Sequence, residues 1–155
     1  MRFRIREFKK ADFQTLWQID QICFEPQLAY SQKELAFYMQ RPGSFTLVAE
    51  DEAESGILGF IVAENRRRTG HIITIDVIEK ARRSGVGSAL LQAAEEKLLE
   101  AGATAVALET PVNNAAAIRF YKSEGYYVEK TLTAYYSNQM DALLMTKELG
   151  RSPVG

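Results

Sequence analysis

Arg82-Arg83-Ser84-Gly85-Val86-Gly87-Ser88, lying between the apolar run Ile72 to Ile78 and the helical pattern Ala89 to Leu99, decides the fold. It reads as the end of a strand, a glycine-containing turn and the start of a helix, which points several backbone N–H groups at one spot. That spot suits an anion. Gly85 and Gly87 are read as leaving room for phosphate oxygens to reach main-chain donors, the helix dipole adds a fixed positive potential, and Arg82 and Arg83 add formal charge. A Gly-x-Gly turn before a helix is equally a plain strand-to-helix connection, and the rest of the chain has to choose between the two.

With 155 residues and 46% hydrophobic content the chain has enough material for one core. A single domain is expected over 1–149, with 150–155 as a loose tail. Charged residues make up 25% and the net charge is −1, so no polyanion-binding surface is indicated and nucleic acid is not an expected partner. Cys23, the only cysteine, has no internal disulfide partner. Met1 to Ile5 lacks a signal-peptide apolar core and no spanning segment follows, so a cytoplasmic protein with no membrane partner is expected. Cys23 lies in an apolar helical pattern and is read as a small buried side chain, not a nucleophile.

Phe3 and Ile5 alternate with Arg2, Arg4 and Arg6, the period of a half-buried strand. Asp12 then precedes Phe13, Leu16, Trp17, Ile19 and Ile22 at helical spacing, and Ser31 with Glu34 forms a capping box for a second helix ended by Pro42-Gly43. Phe45 to Glu50, Ile57 to Glu64 and His71 to Ile78 read as a meander of strands. A helix from Val86 to Glu100 stops at Gly102, a buried strand from Ala105 to Thr110 stops at Pro111, and a helix from about Asn114 to Ser123 precedes strands from Tyr126 to Leu132 and Ala142 to Lys147. The order is βααβββαβαββ. The crossover helix between Ile78 and Ala105 implies a parallel pair inside a mixed sheet with helices on its faces. Arg66-Arg67-Arg68 falls in a strand-to-strand turn and reads as a solvated hairpin tip.

This order, with Arg82-x-x-Gly85-x-Gly87, Asn114-Ala115-Ala116-Ala117-Ile118-Arg119-Phe120-Tyr121 and Gly125-Tyr126, resembles the GNAT superfamily of acetyl-CoA-dependent N-acetyltransferases from Phe3 to about Leu149. Within it, Glu109, Asn114, Tyr121 and the Tyr135-Tyr136 pair are similar to the ribosomal-protein N-terminal alanine acetyltransferases and the archaeal protein N-terminal acetyltransferases. The resemblance implies an α/β fold with a mixed central sheet of about seven strands, a splayed parallel pair and four flanking helices. It implies that the backbone of Arg83, Ser84, Gly85, Val86, Gly87 and Ser88 cradles the CoA pyrophosphate with Arg82 also on the cofactor side, that Ile75, Asp76 and Val77 pair with the pantetheine arm, and that an N–H at Val77 polarises the acetyl carbonyl. Asn114 would contact the pantetheine side, and a helix cap at the same residue is compatible with that.

Acetyl transfer to an amine needs a neutral nucleophile, a polarised carbonyl and a proton for the departing thiolate. Tyr121 matches the superfamily's general acid, and a phenol of pKa about 10 is suited to protonating a thiolate. Glu109 ends the apolar strand Ala105-Val106-Ala107-Leu108, where a carboxylate can take a proton from an ammonium directly or through water. His71, the only histidine, matches a residue that the archaeal enzymes use together with the glutamate; it ranks here below Glu109. Near pH 7.4 roughly a quarter of an α-amine of pKa about 7.7 to 8.0 is neutral, against about a thousandth of a lysine, so a modest base suffices for an N-terminus. Tyr135 and Tyr136 fall in the segment that folds over the peptide in that family, although adjacent tyrosines before Ser137-Asn138 equally read as a strand end packing on the core; Phe24 to Tyr30 form the other wall, with Glu25 placed to meet the ammonium and Leu28 or Tyr30 to line the first-residue pocket. The Pro-Trp element of the ribosomal-protein enzyme is absent from Glu25-Pro26-Gln27-Leu28-Ala29-Tyr30, and Glu79 and Asp76 replace a proline and a small residue. Asp76 either faces the cleft and alters its charge or bonds a neighbouring backbone group.

The expected substrates are acetyl-CoA and a peptide or protein N-terminus. Two alternatives stay open: a small amine acceptor such as an amino acid, polyamine or aminoglycoside, and a non-catalytic acyl-CoA-binding module. No metal is expected, and monomer and homodimer are both compatible with the sequence.

Overall fold

The computed structural model describes residues 1–150; the rest of the expected tail, 151–155, lies outside the described residues. The chain forms β1 (Phe3–Glu7), a 3-10 turn (Lys10–Asp12), α1 (Phe13–Cys23), α2 (Gln32–Gln40), β2 (Ser44–Asp51), β3 (Ile57–Arg66), β4 (Thr69–Val77), a second 3-10 turn (Glu79–Ala81), α3 (Val86–Glu100), β5 (Ala105–Pro111), α4 (Ala115–Ser123), β6 (Tyr127–Leu132) and β7 (Ala142–Glu148). Seven strands make one sheet in the order β1-β2-β3-β4-β5-β7-β6, antiparallel except for the β4–β5 pair. Element order and mixed sheet match the expectation; Asn114 falls just outside the helix as its cap.

Both faces of the sheet are covered. Phe60 and Val62 of β3 join Leu16, Ile19 and Leu35 in a core beneath α1 and α2, while Ile61 and Ala63 join Leu90, Leu91, Ala94 and Leu98 beneath α3. Burial on both sides explains why β3 reads as a continuous apolar run and not an alternating one. The Ser31–Glu34 capping box forms as expected, with Ser31 Oγ accepting from Glu34 N at 3.1 Å and Glu34 Oε1 accepting from Ser31 N at 2.9 Å. Asp12 precedes α1 but does not cap it with its side chain. Its carboxylate instead accepts Lys9 N and both arms of the Arg6 guanidinium at 2.8 to 3.0 Å, tying β1 to the helix start.

One expectation on α1 fails. Ile22, placed by periodicity among the apolar positions, is 81% exposed. The inward face runs through Leu16, Ile19, Asp20 and Cys23, so a carboxylate occupies a core position and the isoleucine one step away faces out.

Two irregularities shape the site. Val62 pairs with Thr74 and Ala63 with Ile72, so Ile73 is an extra residue in β4, a β-bulge. Ile72, Ile75 and Val77 pack on the α3 side, whereas Ile73 packs on the α1–α2 side. Beside this strand, parallel pairing with β5 covers only Thr69↔Ala105 to His71↔Ala107 and then stops, while β5 stays paired with β7 along its length. The expected splay is therefore present. Gly59 lies against the far end of β4: a Cβ there would come within 2.5 Å of the Asp76 carbonyl oxygen and 3.2 Å of Val77 Cα. Gly59→Ala should lower stability by about 1–3 kcal/mol, as overpacking against backbone does, read as a lower urea midpoint with an unchanged slope.

Candidate active site

The splay opens a cleft of about 980 Å³ between β4 and β5, walled by α4, the loop before α3 and the α1–α2 loop. Ile78 N donates to Leu58 O at 2.9 Å. By the alternation of an antiparallel ladder, Ile75 and Val77 then turn their backbone groups away from β3 into the gap. The Val77 carbonyl there accepts from Arg82 Nε at 3.0 Å and is approached by Cys23 Sγ at 3.6 Å. Cys23 is thus half-buried at the cleft edge and not sealed in the core as expected, although desolvation raises its thiol pKa and keeps it a poor nucleophile.

At the mouth of the cleft, Gly85 stands at the N-cap of α3 with φ of 87° and offers no side-chain cap. The first intrahelical bond is Ala89 N to Gly85 O at 3.0 Å. Val86, Gly87 and Ser88 therefore keep helix-terminal N–H groups without intrahelical acceptors, as an anion cradle requires. The structure adds a requirement of its own at each glycine. Open space surrounds a Cβ at Gly85, whose requirement is its left-handed φ, and a Cβ at Gly87 would meet the Phe120 ring at 3.3 Å. Arg83 also takes a positive φ, 65°. Arg82 folds back onto Val77 and Cys23 rather than onto the glycine turn, and Ser88 gives its hydroxyl to Glu124 at 2.6 Å. The Val86 side chain is core, and Ser84 bonds the Ala81 carbonyl.

α4 forms the facing wall. Asn114 caps it, Oδ1 accepting from Ala117 N at 3.1 Å, and also lines the cleft, so both readings of this residue are compatible. Ala116, Ala117, Phe120 and Tyr121 line the wall at helical spacing. Burial pushes the Tyr121 phenol above its ordinary pKa, with the Asp76 carboxyl adding to the shift, and among the described residues its hydroxyl has no hydrogen-bond partner. Arg119 lines the cleft as well and was not singled out from the sequence; its place one residue from Phe120 on the lining face was the signal available.

Where β4 and β5 part, His71 Nε2 lies 2.7 Å from Glu109 Oε1, with both side chains more than four-fifths buried. His71↔Ala107 is the last parallel pair, and Glu109 follows two residues on, on the same face of β5. A carboxylate only accepts, so Nε2 carries the hydrogen, and Nδ1 is buried without a partner among the described residues. Glu109 faces the cleft directly.

On the acceptor side Leu28, Tyr30 and Tyr136 line the cleft, whereas Glu25 is exposed outside it and Tyr135 is nearly half exposed. The structure therefore does not bring Glu25 to the site. Its carbonyl turns the loop by accepting Leu28 N and Ala29 N at 2.8 and 2.9 Å, which points the side chain away. Ser137 Oγ donates to Gln27 O at 3.2 Å, joining the two acceptor-side loops. Asp76 is among the residues that line the cleft, yet it is 1% exposed, its Oδ1 accepts the Thr74 hydroxyl at 2.6 Å instead of a backbone group, and the Asp20 carboxyl acts on it. Asp20 escaped the sequence reading because an acidic residue inside an amphipathic helix gives no cue that it faces inward.

Comparison with known proteins agrees with this geometry. Residues 13–126 match the family model described as the acetyltransferase (GNAT) family. An uncharacterised N-acetyltransferase of Methanocaldococcus jannaschii is 32% identical over 93% of this chain and 90% of its own length. An N-alpha-acetyltransferase of Sulfurisphaera tokodaii is 30% identical over 95% and 93%. The crystal structure of Ard1 from Thermoplasma volcanium superposes with a TM-score of 0.86 at 29% identity, covering 97% of this chain and 100% of that one.

Proposed function

The chain belongs to the GNAT acetyltransferase family, and from that premise we propose that it moves an acetyl group from acetyl-CoA to the α-amine of a peptide or protein N-terminus by direct attack. The observation that carries this reading is one cleft with Glu109 at the point where the strands part and the unpartnered Tyr121 hydroxyl on the helical wall. Relatives named N-alpha-acetyltransferase support the choice of an α-amine acceptor.

The residues present fit acetyl-CoA as a substrate. The uncapped N–H groups of Val86, Gly87 and Ser88 suit its pyrophosphate, and the backbone edge of Ile75 and Val77 suits an amide-bearing arm. When bound, acetyl-CoA supplies the activated acyl group as a thioester. Arg83 adds charge at the turn, Arg119 adds it at the cleft wall, and Asn114 offers what its cap leaves free. The Val77 N–H polarises the acyl carbonyl, Glu109 removes the proton of the incoming amine, and His71 holds that carboxylate in place. Tyr121 holds the proton that the leaving thiolate requires. Leu28, Tyr30 and Tyr136 bound the first-residue pocket, with Tyr135 at its rim and Glu25 outside it.

Mass spectrometry of acetyl transfer to peptides varied at the first two residues tests this, with N-terminally blocked lysine peptides and free polyamines alongside. Acetylation confined to free α-amines is the expected result. Turnover of polyamines alone would move the assignment to a small-amine acetyltransferase, and acetyl-CoA binding without any transfer would leave only the binding module.

A further inference from the structure

Asp20 of α1 and Asp76 of β4 are 0% and 1% exposed. Each uses one oxygen on a neighbour: Asp20 Oδ2 accepts Tyr30 N at 2.8 Å, and Asp76 Oδ1 accepts the Thr74 hydroxyl at 2.6 Å. Their remaining oxygens, Asp20 Oδ1 and Asp76 Oδ2, are buried and receive no N–H or O–H from the described residues. Both carboxyls lie where α1 packs on β4, and that of Asp20 acts directly on that of Asp76. Two bare carboxylates in such a place repel, so the contact requires a proton between them.

We propose that Asp20 and Asp76 share a single proton, and that this proton latches the acceptor-side loop at Tyr30 to the bulged strand lining the cleft, so that acceptor binding weakens when the proton leaves. Tyr30 is the moving part. Its carbonyl accepts Trp17 Nε1 at 3.1 Å and Gln21 Nε2 at 2.6 Å, and its hydroxyl reaches the carbonyl of the bulge residue Ile73 at 3.5 Å. Its amide is held by Asp20, so the hold on this end of the loop depends on the carboxyl pair. Deprotonation would put two negative charges beneath this loop.

Burial, followed by the Asp20 contact, raises the Asp76 carboxyl well above the ordinary carboxylate range. Facing the pair are Cys23 from α1, Tyr30 from the α1–α2 loop, Arg82 from the segment before α3 and Tyr121 from α4. Arg82 acts in the opposite direction, favouring the ionised form, and Tyr38 of α2 reaches the site only through its contact with the Tyr30 ring at 5.3 Å. With a raised pKa the latch is intact below that pKa and opens as pH rises through it.

The role in acceptor binding rests on the proposed function; the shared proton does not. Asp20→Asn is the informative variant, because its amide oxygen can still accept Tyr30 N while its NH2 donates to an ionised Asp76, a permanent copy of the latched state. The wild type should show the infrared carbonyl stretch of a protonated carboxylic acid near neutral pH, lost on going alkaline and absent in Asp20→Asn. Exchange of the Tyr30 amide hydrogen should rise above that of Asp20→Asn over the same pH range. The ratio of wild-type to Asp20→Asn KM for the acceptor should rise about tenfold there, the acceptor's own titration cancelling in the ratio, with KM for acetyl-CoA unchanged. Asp20→Ala should raise acceptor KM about tenfold at every pH. An acid band that Asp20→Asn does not remove, or Tyr30 exchange with the same pH profile in wild type and Asp20→Asn, would overturn the shared proton. A flat KM ratio alongside the expected band would overturn the latch. Absence of any acetyl transfer would instead sink the proposed function, with the band and the exchange still deciding the proton.

Discussion

Tyr121→Phe should lower kcat by about a hundredfold or more while leaving the Kd for acetyl-CoA within about twofold of wild type. The substitution removes one hydroxyl that no described residue binds, so the ring and its contacts with Phe120 and Tyr126, at centroid separations of 5.3 and 6.0 Å, can remain. A stability change should be small for the same reason. The chemistry sets the size of the rate effect. Burial holds the phenol above its ordinary pKa, so Tyr121 keeps its proton across the neutral range. Passing that proton to a thiolate whose conjugate thiol titrates near about 8.5 in water would be uphill. The same desolvated wall raises the thiolate's basicity too, which restores the match between donor and acceptor. Replacing Tyr121 therefore removes the phenol that α4 presents to the cleft and leaves the thiolate to depart without its proton. Stopped-flow binding beside steady-state turnover separates the outcomes. A loss of binding equal to the loss of rate would make Tyr121 a packing residue, and an unchanged kcat would remove it from proton transfer altogether.

The fold was readable in the sequence wherever one principle governs a whole element. The β3 run Ile57 to Ala63 and the Ser31–Glu34 box each carry a single dominant signal, burial on both faces and a reciprocal cap. The splay was readable only through family resemblance, because nothing in the composition of β4 and β5 marks where pairing must stop. The bulge at Ile73 left no local trace, since an extra residue in an apolar strand changes its facing and not its character. Among site residues, Glu109 and Tyr121 were singled out through the family resemblance, and both line the cleft. Glu25 was misplaced because a loop's direction depends on which carbonyls its own amides seek, here those of Glu25 itself. The direction of Arg82 was not legible, because a long cationic side chain next to a turn can reach an acceptor elsewhere, here the Val77 carbonyl at the cleft. Asp76 stood out in the sequence but Asp20 did not, and only the packing of α1 on β4 brings the two carboxyls into one buried region.

Glu109→Gln should reduce kcat/KM for a peptide N-terminus by about a hundredfold near pH 7, with the deficit shrinking as pH rises past about 8. The shrinkage follows from the substrate. Once the α-amine is already neutral in solution a base has less to remove, so a variant without the base recovers while one with a damaged pocket does not. His71→Gln should show the same pH dependence, because His71 touches the site through Glu109, 2.7 Å away, and its own Nδ1 is buried. If the two act as a unit, the double variant should be hardly worse than the worse single one, since removing the carboxylate leaves the imidazole nothing to orient. Additive losses would instead give His71 an independent part, through Nδ1 or through the packing of β4 beside β5. The last parallel pair, His71↔Ala107, places the imidazole where the strands begin to separate. The geometry then allows a sharper expectation: His71→Ala, which leaves a cavity under Glu109, should widen the pH range over which the rate is depressed without changing acetyl-CoA affinity. A parallel fall in acetyl-CoA binding would show that His71 holds the splay open and does not hold the base.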